Sequence, residues 1–360
     1  MKKALMLAGI WWDDPLQRHQ QFAQYLAKIG YDVYFIEHIV SSKFTFKKLV
    51  RAIRLKNSKQ KAENDKFPNI SIVSKHFLSP GSFLLDNYNC AVINNIIDEI
   101  GDEFDLVINY LPISTTDYFL RKVKTKKLIY DCVRNFSTWE GCPNDVNERE
   151  NRLIYHADEI FTDSFYLTDM MRKRGNKEPI QFLPIATKEW KSGCQIKKID
   201  KISNVGYFGS IGEHLNLKVF EEIAKEGFVI HLWGNSNQVL NFQYIDHGYQ
   251  KDQERLSMEI TSDCDAIVLP YKSNLDGVIP AKITQALVSK LPVFIGNFYD
   301  SRYLAEYLYI FDNPEECINL IKTFNAQQFE GRTLKIQNFT RELDNDSQFK
   351  KFSRTITSLH

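Results

Sequence analysis

The chain has 360 residues, too many for one ordinary core and suited to two domains of about 150 to 200 residues each. Its 46 Lys+Arg stand against 45 Asp+Glu, a net charge of +1, which argues against a general nucleic-acid binder. Six cysteines, at positions 90, 132, 142, 194, 264 and 317, show neither CxxC spacing nor paired His clusters, so neither a disulfide framework nor a zinc site is indicated and a reducing cytoplasm fits.

The first twelve residues have the look of a short signal peptide. Asp13-Asp14-Pro15 ends them without a small-residue cleavage site, so a first buried strand over residues 4–10 is the better reading. A helix over 17–29 follows, with Phe22, Tyr25, Leu26 and Ile29 at helical spacing, and Gly30 closes it before a strand at 31–36. Strands at 70–73, 106–109 and 127–130 continue the series, with a helix at 89–100 among them. A strand at 157–162, a helix start at Ser164 and a strand at 181–184 complete a doubly wound α/β domain over 1–185. Residues 186–201 are polar and lysine-rich without a period and read as a linker. A second alternation runs through strands at 203–209, 228–233, 242–245, 266–269 and 292–296, giving a domain over 202–335, and 336–360 reads as a C-terminal helix returning to the first domain. The expected fold class is α/β: two tandem Rossmann-like domains with a cleft between them. No run of about 18 apolar residues is present to span a membrane, and no repeat suggests a solenoid.

The most informative stretch runs from Tyr271 to Val293. A strand, a Gly/Pro loop, a helix beginning near Pro280 and a further strand put the loop and helix N-terminus at the carboxyl edge of a parallel sheet, where backbone N–H groups and the helix dipole favour an anion. Lys282 lies in the first turn and Gln285 follows on roughly the same face, so a diphosphate is the expected guest; the competing reading is a solvated surface lysine. Gly206-Tyr-Phe-Gly209-Ser-Ile-Gly212 follows the first strand of the second domain and allows a phosphate to approach the backbone. Its GxxGxxG spacing differs from the dinucleotide fingerprint, and no acidic residue clearly ends the second strand, which disfavours an NAD enzyme.

Residues 43–61 contain eight basic and no acidic residues, interleaved with Phe46, Leu49, Val50, Ile53 and Leu55. Such a segment forms either a basic amphipathic helix for an anionic membrane surface or a packed helix with a solvated face.

With these motifs the chain resembles a GT-B glycosyltransferase. The resemblance rests on Arg18-His-Gln-Gln-Phe-Ala-Gln-Tyr-Leu, Leu128-Ile-Tyr-Asp-Cys-Val, Ala157-Asp-Glu-Ile-Phe-Thr-Asp-Ser, Gly206-Tyr-Phe-Gly-Ser-Ile, His247-Gly-Tyr and the Lys282 segment. It is nearest in kind to bacterial capsule and exopolysaccharide enzymes, including the xanthan glucuronosyltransferase type, whose Lys-x-x-Gln is matched by Lys282 and Gln285. The resemblance implies a C-terminal domain that holds a sugar nucleotide, a UDP-sugar as donor with no further cofactor, and an N-terminal domain that holds the acceptor. It places Gly209, Ser210 and Ile211 beside the donor, Gly248 and Tyr249 at the base, and Tyr271, Asp276, Gly277, Pro280 and Ala281 around the diphosphate with Lys282 and Gln285. The implied acceptor is a glycan or lipid-linked oligosaccharide of a surface polysaccharide. That implies a cytoplasmic location, at the inner face of the membrane if 43–61 binds there, with no nucleic acid as partner.

The common retaining family carries a Glu-x7-Glu pair, where this chain has Asp276 or Gly277 and then Gln285. Its histidine after the fourth strand has no counterpart in Asn109-Tyr-Leu-Pro112, and its basic residue is replaced around Ile211-Gly-Glu-His214. An inverting reaction needs one base, and no metal ion if Lys282 and a helix dipole neutralise the leaving diphosphate. Candidate bases are Asp131 at a strand end, Asp13 and Asp14 after the first strand, and Glu140 further along; each could instead be a helix cap or an arginine partner, with Arg134 near Asp131. Arg18 and His19 open the first helix as acceptor contacts or as solvated charge, and the other histidines, such as His231, read as core or surface residues. A non-catalytic binding protein of this fold and a sugar-nucleotide epimerase are the alternatives.

Overall fold

The computed structural model describes residues 2–14, 16–42, 67–80, 83–139, 141–236, 238–272 and 275–357. The basic segment 43–61 and Glu140 lie outside the described residues. The chain forms two compact units: Met1–Asp163 with Leu167–Phe182 and Lys351–His360, and Ser164–Tyr166 with Leu183–Lys350.

The first unit is built on strands β1 (Lys2–Leu7), β2 (Tyr31–Ile36), β3 (Ile70–Val73), β5 (Leu106–Asn109), β7 (Leu128–Cys132), β8 (Glu159–Thr162) and β9 (Ile180–Gln181). Short strands β4 (Glu103–Phe104) and β6 (Lys124–Thr125) pair apart from them. The sheet order is β3-β2-β1-β5-β7-β8-β9 and every pairing is parallel, with Ala4 opposite both Val33 and Leu106. Parallel strands covered on both faces read as continuous apolar runs, and Leu106–Asn109 and Leu128–Cys132 are buried at every position. The helix Arg18–Lys28 buries Phe22, Tyr25 and Leu26 and stops at Gly30, whose φ of +89° suits a residue without Cβ.

The second unit repeats the scheme with β10 (Asn204–Phe208), β11 (Val229–Trp233), β12 (Ile245–Asp246), β13 (Ala266–Leu269), β14 (Val293–Gly296) and β15 (Tyr309–Phe311). Their order is β12-β11-β10-β13-β14-β15, again all parallel. In both sheets the winding reverses beside the first strand, at β1/β5 and at β10/β13, and the crevice at the carboxyl ends there is where such sheets bind ligands. The fold class is therefore as expected: two Rossmann-like units of parallel α/β structure.

Several boundaries differ from the sequence reading. β1 starts at Lys2 and leaves the sheet after Leu7, and β7 runs on to Cys132, so Asp131 sits inside the strand rather than after it. The stretch 186–201, read as a linker, contains the helix Lys188–Gly193, with Thr187 Oγ1 accepting a hydrogen bond from Trp190 N at 3.2 Å. Trp190 is wholly buried in the second unit, 4.8 Å from the Phe208 ring, and donates from Nε1 to the Gln285 carbonyl at 2.8 Å. One aromatic residue among lysines was too sparse a pattern to reveal that contact. The region 336–360 is not one helix: Ala326–Glu342 and Asn345–Thr357 meet at a turn where Asp344 accepts from Ser347 N at 2.7 Å. Phe352, in the segment assigned to the first unit, packs on Phe22 with ring centroids 4.5 Å apart and near Phe161 and Phe182. No helix among the described residues is long and apolar enough to cross a membrane.

Trp190→Ala should lower the unfolding free energy by about 3 to 5 kcal/mol through the cavity it leaves, measured by denaturant unfolding. A loss below about 1 kcal/mol would show that the site collapses or that the ring is not enclosed.

Candidate functional site

At the reversal point of the second unit, β10 ends at Phe208 and hands the chain to Gly209, which has φ +104° and donates from its backbone N–H to the Trp233 carbonyl at 2.6 Å. A Cβ at Gly209 would lie 2.1 Å from Lys282 Cε and 2.3 Å from its Nζ, so a side chain there would displace the end of the lysine from this turn. Across the same turn, a Cβ at Gly234 would lie 2.1 Å from the Gly209 carbonyl oxygen. Lys282 is in the first turn of the helix Ala281–Val288, capped by Pro280 in extended conformation. Its Nζ donates to the Tyr207 hydroxyl at 3.3 Å and lies 5.3 Å over the Tyr207 ring. Burial lowers its pKa, and no carboxylate among the described residues pairs with it. A half-buried ammonium in that state favours an anionic partner.

The space in front of Lys282 is a cavity of ≈ 420 Å³ lined by Phe208, Gly209, Trp233, Tyr249, Pro280, Ala281 and Gln285, among others. Gln285 Nε2 donates to Gln253 Oε1 at 3.0 Å, so its amide is held at the wall, and Tyr249, 68% exposed, offers an open ring face. Of the residues assigned to the donor, the cavity brings together Gly209, Tyr249, Pro280, Ala281, Lys282 and Gln285.

The rest have other places. Ser210 is exposed beside the cavity and its carbonyl accepts from the Tyr207 hydroxyl at 2.8 Å. Ile211 and Tyr271 are core residues, bridged to Ser236 and Leu215 respectively. Gly248 shapes the turn before Tyr249 with φ +67° and a hydrogen bond to Asp246 at 2.8 Å. Asp276 is exposed and Gly277 is buried with φ +82°. Sequence reasoning missed Phe208, Trp233, Gln250, Gln253 and Leu256. The signal available for Phe208 and Trp233 was their position at the carboxyl ends of adjacent parallel strands.

At the corresponding edge of the first unit lies a buried polar cluster. Arg18 donates to the carbonyls of Thr162 at 2.7 Å and Phe182 at 2.9 Å and is ion-paired with Asp131, whose side chain is fully enclosed. Asp131 is thus an arginine partner of Arg18, not of the neighbouring Arg134, which lies over Trp139. Burial pushes the Asp131 carboxyl up to about 7, with Asp163 adding to the rise and Arg18 opposing it. His19 packs against Tyr110 with centroids 4.0 Å apart and the rings tilted by 32°, and burial followed by the charges of Arg18 and Arg134 pushes it down to about 3. The solvated-face reading of Arg18 and His19 therefore fails: a residue that opens a helix can face inward when the helix lies on a sheet edge. Asp131 Oδ2, Arg18 Nε, His19 Nδ1, Tyr110 Oη and Asp163 Oδ1 are all buried without a hydrogen-bond partner among the described residues. Asp13 is exposed, and Asp14 accepts from Trp11 N at 3.0 Å in the turn after β1.

No protein-family model matches this sequence, and no curated protein does. The structure, in contrast, is similar to solved ones over nearly its whole length. A sucrose-phosphate synthase from Thermosynechococcus elongatus matches with TM-score 0.68 at 10% identity, covering 99% of both chains. Anabaena HepE in complex with UDP and glucose matches with TM-score 0.63 at 12% identity, covering 99% of this chain and 100% of that one. The lipopolysaccharide outer core galactosyltransferase WaaB matches with TM-score 0.65 at 11% identity and 99% of each. At such identities the likeness establishes the fold, which is GT-B.

His19 gives a pH test of the first unit. Its folded pKa lies below that of an unfolded histidine, so the stability it contributes is present above about pH 6.5 and is lost as pH falls toward about 3. The stability difference between wild type and His19→Gln, followed from pH 7 to pH 4, should shrink on acidification by several kcal/mol. The raised Asp131 carboxyl acts in the opposite sense in part of that window, but it is common to both proteins. A pH-independent difference would contradict the burial of a neutral imidazole beside Arg18.

Proposed function

We propose that the protein is a glycosyltransferase that takes a sugar from a nucleoside-diphosphate sugar, a UDP-sugar, with the donor in the second unit. The observation that carries this reading is the half-buried Lys282 ammonium, without a carboxylate partner among the described residues, set at a helix N-terminus over the glycine turn of a Rossmann-like sheet. That combination suits a diphosphate: the backbone N–H groups of the first helical turn and the Lys282 cation meet its oxygens, and Gly209 lets them approach. Tyr249 would border the base, and Gln285 would meet the diphosphate beside Lys282. Anabaena HepE, bound to UDP and glucose, offers a precedent for such a guest on this fold.

In this reading the reaction breaks the bond between the anomeric carbon and the diphosphate while the acceptor hydroxyl forms the new one. Lys282 and the helix dipole stabilise the charge that develops on the leaving diphosphate, and no metal ion is needed at that position. The first unit would hold the acceptor, with Asp14 or Asp13 taking its proton. Asp131 would serve by fixing Arg18, since a fully enclosed carboxylate cannot reach a hydroxyl. A surface glycan or lipid-linked oligosaccharide is the proposed acceptor, made in the manner of capsule and exopolysaccharide enzymes, and the eight basic residues of 43–61 support work at an anionic cytoplasmic membrane face.

Lys282→Ala should weaken UDP binding by roughly ten-fold or more, read by calorimetry, and lower turnover with it. Unchanged UDP affinity would overturn the donor site. Release of UDP only when acceptor is present separates a transferase from a non-catalytic binder, which releases none, and from an epimerase, which converts the sugar and keeps the nucleotide attached.

A second test concerns pH and metal. Only the charged lysine attracts the diphosphate, and burial holds its pKa below that of an ordinary lysine. UDP affinity should therefore fall on the alkaline side at a lower pH than an exposed lysine would give, and millimolar Mg²⁺ should not restore it. Affinity that is flat with pH, or that depends on Mg²⁺, would assign the diphosphate charge to another group.

A further inference from the structure

Behind the cavity wall, at the edge of the second sheet, three side chains converge that the donor site does not use. His231 is the third residue of β11 and is buried, His247 follows β12, and Asp263 is the last residue of the helix Gln253–Asp263. One ligand atom from each lies within 4.8 Å of the others, and His231 Nδ1 is 3.0 Å from His247 Nε2. The two histidines are sixteen positions apart, too far for any metal motif to be read from spacing; the parallel pairing of His231 with Ile245 in the β11–β12 ladder is what joins them.

We propose that His231 Nδ1, His247 Nε2 and the Asp263 carboxylate bind a zinc ion, with water completing the coordination. Two imidazoles and one carboxylate form an N₂O donor set that suits zinc, and separations of this order between ligand atoms can close onto one tetrahedral ion.

The surroundings orient the site as an outer shell does. The other nitrogen of His231, Nε2, lies 3.4 Å from Asn204 Oδ1, while Asn204 Nδ2 donates to Asp265 Oδ2 at 3.3 Å. The Asp265 carboxylate accepts only, so it fixes the amide with its oxygen toward His231, and that oxygen in turn places the His231 proton on Nε2. The Nδ1 lone pair is then left facing His247, which is the tautomer a metal needs. The His247 ring lies flat on Trp233, 4.1 Å between centroids and 9° between planes, and His247 N donates to the Leu232 carbonyl at 2.9 Å. Trp233 and Tyr249, two residues beyond His247, both line the cavity. The ion would thus tie the edge strand and the cavity rim to β11 as a structural site, separate from any role at the diphosphate.

The test is zinc binding by the full chain after dialysis against chelator, measured by calorimetry and repeated with Co²⁺ for its visible spectrum. The expected result is one ion per chain and a Co²⁺ spectrum of tetrahedral type without the thiolate charge-transfer band that the cysteines would give. His247→Ala and Asp263→Asn should each weaken binding by at least about ten-fold, and Asn204→Leu by about 10- to 100-fold through orientation alone. His76→Ala, which removes an exposed histidine of the first unit, should leave binding unchanged. Circular dichroism checks that each variant is folded, and the half-exposed Asp263 supplies a mild substitution should His247→Ala disturb the sheet edge. No binding by wild type at micromolar free zinc, or binding retained by both His247→Ala and Asp263→Asn, would overturn the proposal. Neither result touches the Lys282 site, whose test is UDP affinity.

Discussion

The second unit is organised around a close passage of one side chain over one turn: Lys282 crosses Gly209 at a separation that leaves no room for a Cβ. It is the φ of +104° at that turn that calls for glycine, and the missing Cβ leaves the end of the lysine chain room to lie over it. The lysine in turn loses solvent and, among the described residues, meets a tyrosine hydroxyl and ring but no carboxylate. Its charge is left to be answered from the cavity. The helix that carries it is anchored two ways, by the Trp190 indole on the Gln285 carbonyl and by Thr284 Oγ1 donating to the Pro184 carbonyl at 2.8 Å. A segment read as a linker and the end of one read as a strand thus hold the helix whose first turn lines the cavity.

The first unit uses the same topology for a different electrostatic arrangement. Arg18 is neutralised internally by Asp131 and held by two strand-end carbonyls, so its charge is spent on the fold. Several polar atoms around it are enclosed without partners among the described residues, a costly arrangement that structures retain chiefly at functional or strained positions. The contrast between the two sheet edges is physical: among the described residues, one cation has a carboxylate counter-ion and the other does not. This asymmetry supports the proposal that the donor sits in the second unit.

Much of the fold was readable in the chain itself. Apolar runs bounded by glycine and proline gave most of the strands, because a parallel strand covered on both faces must be apolar along its whole length. The tight glycine turn and the lysine at a helix start were also visible, since backbone freedom and charge at a helix N-terminus are properties of local sequence. The corrections share one cause. Asp131 was placed at a strand end, Arg18 and His19 were left between acceptor contact and a solvated face, and 186–201 was read as a linker; in none of them did the residue type reveal its burial. Asp131, His19 and Trp190 are all buried, the first two by pairing or packing across the sheet edge and the third by a helix too short to show a period.

The sequence by itself determined the alternation of strand and helix, the two-unit plan and the position of the helix that carries Lys282, because these follow from periodicity and turn chemistry. Tertiary structure alone decided which polar groups meet. Arg18 finds Asp131 across 113 positions, Lys282 finds Tyr207 across 75, and His231 finds His247 through a strand pairing. The pairing of charges depends on distance in space and on shielding from water, and neither quantity is encoded at any single position of the chain.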